Sequence, residues 1–285
     1  MNIFIIKGIM NLETSIDVSI IIVSYNQQEL LTNCVKSIIK YTKDIIYEII
    51  IVDNNSSKVS KEFILNKFNK IIWIGLLENQ GFAVANNVGA KSAKGKELFF
   101  LNSDTLLTEN TIKILYTYKV IKDEIGILGP KLLNKDGSVQ IQGSILGSRV
   151  YYSNNPKEVN FLSGAAIMIS ANLYSKINGF DENYFFYNED VDLCKTIKKL
   201  NYKLVYFPFT SIVHFGGGSS KNKNMQIEEA KYLGSLYFCK KFYSKKIYIV
   251  YKFLIMLVIL IKIIYNNLLA NFKIADEYCN LLKKI

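Results

Sequence analysis

Apolar runs at 18–24, 48–52, 71–76 and 97–101 alternate with stretches of helical periodicity, and this rhythm constrains the fold more than any other feature of the 285-residue sequence. Val18–Ser24 (VSIIIVS) is apolar almost throughout, as expected of a strand buried on both faces of a sheet. Over 27–40, by contrast, Leu30, Leu31, Cys34, Val35, Ile38 and Ile39 recur at helical spacing. Further helices are predicted over 58–68, 82–93 and 108–120. Strands joined by helices of this length close as right-handed βαβ crossovers, so the chain is expected to be α/β, with a Rossmann-like, mostly parallel, doubly wound sheet. Ligands in such sheets bind beyond the carboxyl ends of the strands.

From residue 125 the rhythm breaks. Asp136-Gly137 signals a hairpin turn within 131–142, and 143–160 reads as a loop. A short helix is predicted over 172–177, a longer one over 188–200, and one or two strands over 202–214. Residues 216–224 contain no apolar side chain and are expected to be flexible. Two helices, 225–243 and 246–272, follow. The expected organisation is an N-terminal extension (1–16), an α/β domain (17–225) whose nucleotide-binding half runs to about 130, and a helical tail (226–285). Half of the residues are hydrophobic, enough for a core and too many for a disordered chain. The four cysteines (Cys34, Cys194, Cys239, Cys279) lack any C-x-x-C pair, which argues against a zinc site or a disulfide framework and fits a reduced compartment. The apolar run at 3–6 is too short for a signal-peptide core, so a cytoplasmic location is expected.

The charge is concentrated at one end. Residues 1–194 carry 19 basic and 20 acidic side chains, whereas 195–285 carry 16 lysines and 4 acids. That basic segment contains 247–265, nineteen residues that are apolar except for Lys252 and Lys262. At about 1.5 Å per residue such a helix nearly matches a bilayer core of about 30 Å. Two lysines well inside it make a span costly. The expectation is an amphipathic helix over 245–272 seated on an anionic membrane surface, peripheral to the inner face of the plasma membrane, and not a nucleic-acid partner. A homodimer contact is the other use of such a face.

Polar clusters stand where a ligand would bind. Ser24-Tyr25-Asn26 follows the first strand and Asp53-Asn54-Asn55-Ser56 the second, and both also suit helix caps and turns. Glu78-Asn79-Gln80-Gly81-Phe82 is a glycine turn opening a helix, suited to a phosphate or sugar contact. In Asn102-Ser103-Asp104-Thr105 an amide and a carboxylate stand two residues apart at the end of the fourth strand. A Mg²⁺ or Mn²⁺ ion can be held there with substrate phosphates completing its shell, or Asp104 can cap the next helix. Glu189, Asp190 and Asp192 begin a helix beside Tyr184, Phe185, Phe186 and Tyr187. They complement the helix dipole, and in a dry pocket one of them would gain the raised pKa of a general base. His214, the single histidine, precedes the glycine-rich loop and reads either as structural or as a metal ligand.

In order along the chain, these segments, with Leu162-Ser163-Gly164-Ala165-Ala166 and the stretches 179–192 and 213–219, resemble the inverting family 2 glycosyltransferases. They look most like the rhamnosyltransferase-like subgroup, which builds bacterial surface polysaccharides. The resemblance covers about 17–220. It implies a GT-A fold, a nucleotide-sugar donor (dTDP-rhamnose or a UDP-hexose) and a divalent metal, Mn²⁺ or Mg²⁺. It also implies direct displacement, with inversion, onto a hydroxyl of a glycan or of a polyprenyl-diphosphate-linked saccharide. By motif position it implies donor contacts at Ser24, Tyr25, Asn26, Asp53, Asn79, Gly81, Asn102, Asp104 and Gly164. Asp104 and His214 would be the metal ligands, and Asp190, paired with Glu189, the base. The chain departs from the family pattern at Asn102, where a stricter DxD has Asp, and at Thr196, where Arg is common; Lys195 is the adjacent cation.

Two rival enzyme classes need a different loop after the first strand. A dehydrogenase wants G-x-G-x-x-G and a nucleotidyltransferase a glycine- and Arg/Lys-rich phosphate loop, and Ser24-Tyr25-Asn26-Gln27 is neither. The non-enzyme alternative is a membrane-associated binding module of the same fold.

Overall fold

The computed structural model describes residues 15–142, 145–216 and 225–285, without side chains at 145–148. The expected N-terminal extension, apart from its last two residues, and the glycine-rich loop beyond Gly216 lie outside the described residues. In chain order the elements are β1 (Val18–Ser24), α1 (Gln28–Tyr41), β2 (Tyr47–Asp53), α2 (Lys61–Lys67), β3 (Ile71–Gly75), α3 (Gly81–Ser92), β4 (Glu97–Leu101), β5 (Thr105–Leu107) and α4 (Thr111–Lys119). Then come β6 (Ile125–Leu133), a 3-10 segment (Ile145–Tyr152), β7 (Lys157–Val159), β8 (Ala166–Ser170), α5 (Ala171–Lys176), α6 (Glu189–Lys199), β9 (Lys203–His214), α7 (Met225–Phe242), α8 (Lys245–Leu268) and α9 (Phe272–Lys284).

One sheet carries the site, in the order β3-β2-β1-β4-β8-β6-β9-β5, with β7 also paired to β9. β1 to β4, β6 and β9 run one way, while β8, β5 and β7 are antiparallel to their neighbours. The mostly parallel sheet expected from the strand rhythm is therefore present. Successive residues of β1 serve opposite cores, which is why its sequence does not alternate. Ile20 and Ile22 pack with Leu31, Val35 and Ile38 of α1, whereas Ile21 packs with Ala83 and Ala85 of α3.

The second half holds more regular structure than the sequence indicates. The helix expected from 108 starts at Thr111, because Thr105–Leu107 is drawn into β5 by antiparallel pairing with the end of β9. The expected loop over 143–160 contains the 3-10 segment and β7. β9 is one strand whose pairing with β6 slips between Phe207 and Ser211, around Pro208, where the ladder cannot take a donor. The tail has a third helix, α9, where two helices were expected.

A buried amide anchors the segment that leads into α6. Asn87 on α3 donates through Nδ2 to Phe180 O (2.9 Å) and Glu182 Oε1 (2.9 Å), and its Oδ1 accepts from Phe180 N (2.9 Å) and the Tyr174 hydroxyl (2.5 Å). Asn87→Ala strands several buried polar groups, each worth about 1–3 kcal/mol. A loss of roughly 2–4 kcal/mol in urea unfolding is expected, and a loss below about 1 kcal/mol would show that the network carries no weight.

α7 packs directly on this segment. Lys241 Nζ bridges Asp181 Oδ2 (2.6 Å) and Asp192 (2.8 Å), and Tyr237 donates to Asp181 Oδ2 (3.0 Å). α8 is built inside out. Lys262 faces inward, paired with Glu228 of α7 (2.7 Å) and hydrogen-bonded to the Tyr278 hydroxyl of α9 (3.1 Å). Lys252 is likewise only half-exposed, while Val250, Phe253, Leu257, Ile261 and Ile264 point outward. The two lysines that argue against a span on sequence grounds therefore belong to the protein-facing side.

Candidate functional site

A cavity of about 330 Å³ opens at the carboxyl ends of β1, β2, β4 and β9. Its walls include nine of the twelve residues assigned by resemblance: Tyr25, Asn79, Gly81, Asn102, Asp104, Gly164, Glu189, Asp190 and His214. Ser24, Asn26 and Asp53 are not among the lining residues. Ser24 Oγ and Asp53 Oδ1 are nevertheless buried without a protein partner among the described residues, and burial raises the pKa of Asp53. Asn26 adopts a left-handed conformation (φ 58°), and its Oδ1 accepts from Ser57 N (2.8 Å) and Lys58 N (3.1 Å), so its side chain clamps the loop after β2.

The corner holding Asp104 and His214 is assembled by β5. Antiparallel pairing sets Thr105 opposite His214, and Phe215 N donates to Asp104 O (2.9 Å). His214 Nε2 then lies 3.3 Å from Asp104 Oδ1 and 3.5 Å from Asn102 Nδ2. The loop is propped from beneath: Thr105 Oγ1 donates to Asn102 O (2.8 Å), with Cys34 Sγ 3.5 Å from the same hydroxyl. Burial pushes the Cys34 thiol up to about 12, so it remains protonated there. Among the described residues no cluster of three or more His, Cys, Asp or Glu could hold a metal. One carboxylate, one imidazole and a nearby amide do fit a cation whose remaining positions come from a ligand.

The other wall is the start of α6. Tyr187 and Asn188 are both left-handed (φ 68° and 70°), a sharp bend that turns Glu189 and Asp190 into the cavity. Asp190 Oδ2 accepts from Gly164 N (3.1 Å) and Oδ1 from Val191 N (2.9 Å). Glu189 is buried, and its Oε2 has no partner among the described residues. Burial, then the charge of Asp190, raises the Glu189 pKa well above the usual range; burial also raises Asp190, against its backbone donors. Two amides from neighbouring residues favour ionised Asp190, whereas ionised Glu189 has only its own backbone N–H, so the pair's proton rests on Glu189. Each Asp190 oxygen keeps a further lone pair for a substrate hydroxyl. Gly164, assigned to the donor by resemblance, lines the cavity, and the contact visible for its amide is with Asp190.

Backbone conformation shapes the rest. Gly81 has φ +86°, and a Cβ there would collide with the Phe185 carbonyl, which accepts from Phe82 N at 3.0 Å. Phe185, Phe186 and Tyr187 line the cavity as expected of the aromatic cluster, but Tyr184 is buried beneath it, donating to Asp192 Oδ2 (2.9 Å). Lys195 lies over the Tyr243 ring and Thr196 donates to Asp192 Oδ1 (3.3 Å), so neither lines the cavity. Sequence reasoning missed two organising amides. Asn54 holds Asn79 Oδ1 (2.8 Å) and Gly81 O (3.2 Å) while accepting from Gln80 N (2.9 Å). Gln140 accepts or donates at His214 Nδ1 across 2.7 Å. Asn54 sits in a turn-forming cluster and Gln140 beyond a hairpin, contexts that disguise both.

Comparison with known proteins gives a consistent result. The sequence model of Glycosyl transferase family 2 matches residues 19–177. The low-salt glycan biosynthesis hexosyltransferase Agl10 of Haloferax volcanii is 25% identical over 213 residues, covering 70% of this chain and 67% of that protein. The N-acetylglucosaminyl-diphospho-decaprenol L-rhamnosyltransferase of Mycobacterium tuberculosis is 24% identical over 203 residues, covering 58% of this chain and 66% of that protein. The chain thus spans about two thirds of the length of these relatives. The crystal structure of GalNAc-T7 with UDP, GalNAc and Mn²⁺ superposes with a TM-score of 0.58 at 17% identity, covering 70% of this chain and 43% of that one. That likeness shows the GT-A fold.

Proposed function

The chain belongs to glycosyl transferase family 2, and from that premise we propose that it transfers a hexosyl or rhamnosyl group from a nucleotide-diphosphate sugar to a glycan or lipid-linked saccharide. The observation that carries this reading is the opposition, across one cavity, of a base, Asp190, and a cation corner, Asp104 and His214. When bound there, a divalent cation would neutralise the charge developing on the departing diphosphate. Asp190 takes the proton of the acceptor hydroxyl as its oxygen bonds to the anomeric carbon. The bond to the diphosphate breaks on the opposite face, its electron pair leaves with the nucleoside diphosphate, and configuration inverts. Ser24 Oγ and Asp53 Oδ1, buried beside the cavity at the ends of β1 and β2, have unused hydrogen-bonding capacity for the nucleoside.

Thermal-shift titration with dTDP, UDP and GDP, each with and without Mn²⁺, tests the donor site. Metal-dependent stabilisation by one nucleotide is the expected result and identifies the base; no shift with any of them overturns the reading.

The acceptor reading rests on α8. Its outward face is apolar, lysines flank it, and Lys262 within it is engaged by α7 and α9. A flat, peripheral seat on the anionic inner face of the plasma membrane suits that arrangement and would bring a polyprenyl-diphosphate-linked acceptor to the enzyme. The full chain is expected to sediment with phosphatidylglycerol vesicles and much less with phosphatidylcholine. Removing three apolar anchors by Phe253→Asp, Leu257→Asp and Ile261→Asp should cut partitioning about tenfold or more. A dimer in light scattering with no vesicle binding would assign this face to a second copy instead.

A further inference from the structure

The turn between Asn134 and Gln140 does more than close a hairpin. His214 Nδ1 lies 2.7 Å from Gln140 Oε1, while Gln140 Nε2 faces Asn134 Oδ1 (3.1 Å) and the His214 carbonyl (3.4 Å). Those two partners only accept, so the amide nitrogen of Gln140 must face them and its carbonyl must face the ring. Asn134 is oriented in the same way. Its Nδ2 donates to Ser138 Oγ (2.9 Å), and Ser138 Oγ donates to Asp136 Oδ1 (2.6 Å). Asp136 also accepts from Ser138 N (2.9 Å), and these bonds hold its carboxyl below the usual range, so it ends the series as an acceptor. Along the series the donors therefore run from Gln140 toward Asp136, and none is offered to the His214 ring. The ring can complete it only by donating from Nδ1.

We propose that Gln140, oriented through Asn134, Ser138 and Asp136, is a positioning residue that holds neutral His214 in its Nδ1–H tautomer and so presents the Nε2 lone pair to the cation corner beside Asp104. The tautomer follows from the series and from distance. A neutral ring has one proton, and Gln140 Oε1 at 2.7 Å from Nδ1 takes it over Asp104 Oδ1 at 3.3 Å from Nε2, while Asn102 Nδ2 faces the Nε2 lone pair at 3.5 Å. Its use as a ligand rests on the metal reading above. A neutral histidine side chain free in water favours the opposite, Nε2–H form, which would turn a proton toward a cation. An outer partner that fixes a ligand's tautomer is typically worth about 10–100-fold in metal affinity.

His214 is the only histidine, so the full chain carrying ¹⁵N-histidine and no histidine tag gives one pair of ring nitrogen resonances. Two-bond ¹⁵N–¹H correlation at alkaline pH is expected to show Nδ1 protonated. Gln140→Leu should populate the Nε2–H form and weaken Mn²⁺ binding, followed by electron paramagnetic resonance of the free ion, about 10–100-fold. Gln140→Glu, which keeps an acceptor oxygen toward Nδ1, should keep the Nδ1–H form and retain Mn²⁺. An Nε2–H ring in the wild type, or the same tautomer in Gln140→Leu, overturns the proposal. Confirmation of the tautomer together with no Mn²⁺ binding to the wild type would instead overturn the metal reading and leave the positioning role intact.

Discussion

Asp190→Asn is expected to lower turnover about 10²–10⁴-fold while leaving nucleotide affinity within a few fold of wild type. The substitution preserves shape but removes the carboxylate proposed to take the hydroxyl proton. Unchanged turnover would reject Asp190 as the base and favour a non-catalytic binding module. The pH dependence is a second readout. Burial raises both carboxyls of the pair, Glu189 further, so the acid limb of activity should lie above the ordinary carboxylate range of about 4. Stability runs the other way. A carboxyl with a raised folded pKa stabilises most below its unfolded value, and that contribution is lost as pH rises through the folded value. The enzyme should therefore gain activity and lose stability over the same window. Glu189→Gln replaces one neutral neighbour of Asp190 by another and should leave the acid limb in place. A limb moved to lower pH would show that ionised Glu189 faces Asp190 and that the proton assignment is reversed.

Asp104→Ala should cost about 10³-fold in kcat/KM and abolish Mn²⁺-dependent nucleotide binding. The loop it sits on is held by Phe215 N on its own carbonyl and by Thr105 Oγ1 on Asn102 O, so the fold should survive. EDTA should reduce the wild type to a similar level and have little further effect on the variant. A wild type indifferent to EDTA would remove the cation from the reaction and leave Asp104 a structural residue.

The parallel half of the fold was legible because its signals are local. β1 and β4 fall at the residues predicted from their apolar runs, and α1 at its helical spacing. The same locality put polar residues of the βα turns at the carboxyl ends of strands. The rest depends on partners distant in the chain. β5 has three residues, too few to show periodicity, yet its pairing with β9 brings Asp104 to His214. The bend at Tyr187 and Asn188, which aims Asp190, involves backbone angles that neither residue type announces. The apolar segment at 247–265 was evident, but which way Lys262 faces was decided by Glu228 and Tyr278 of neighbouring helices.

By itself the sequence determined the sheet class, the strand ends at which polar residues gather, and the family, because short-range periodicity and turn chemistry record those directly. Only the tertiary structure decided which carboxylate the backbone donors reach, which ring nitrogen of His214 faces Asp104, and which side of α8 is bare. Each of those depends on how a group is desolvated and which donors reach it, and those neighbours come from segments far apart in the chain.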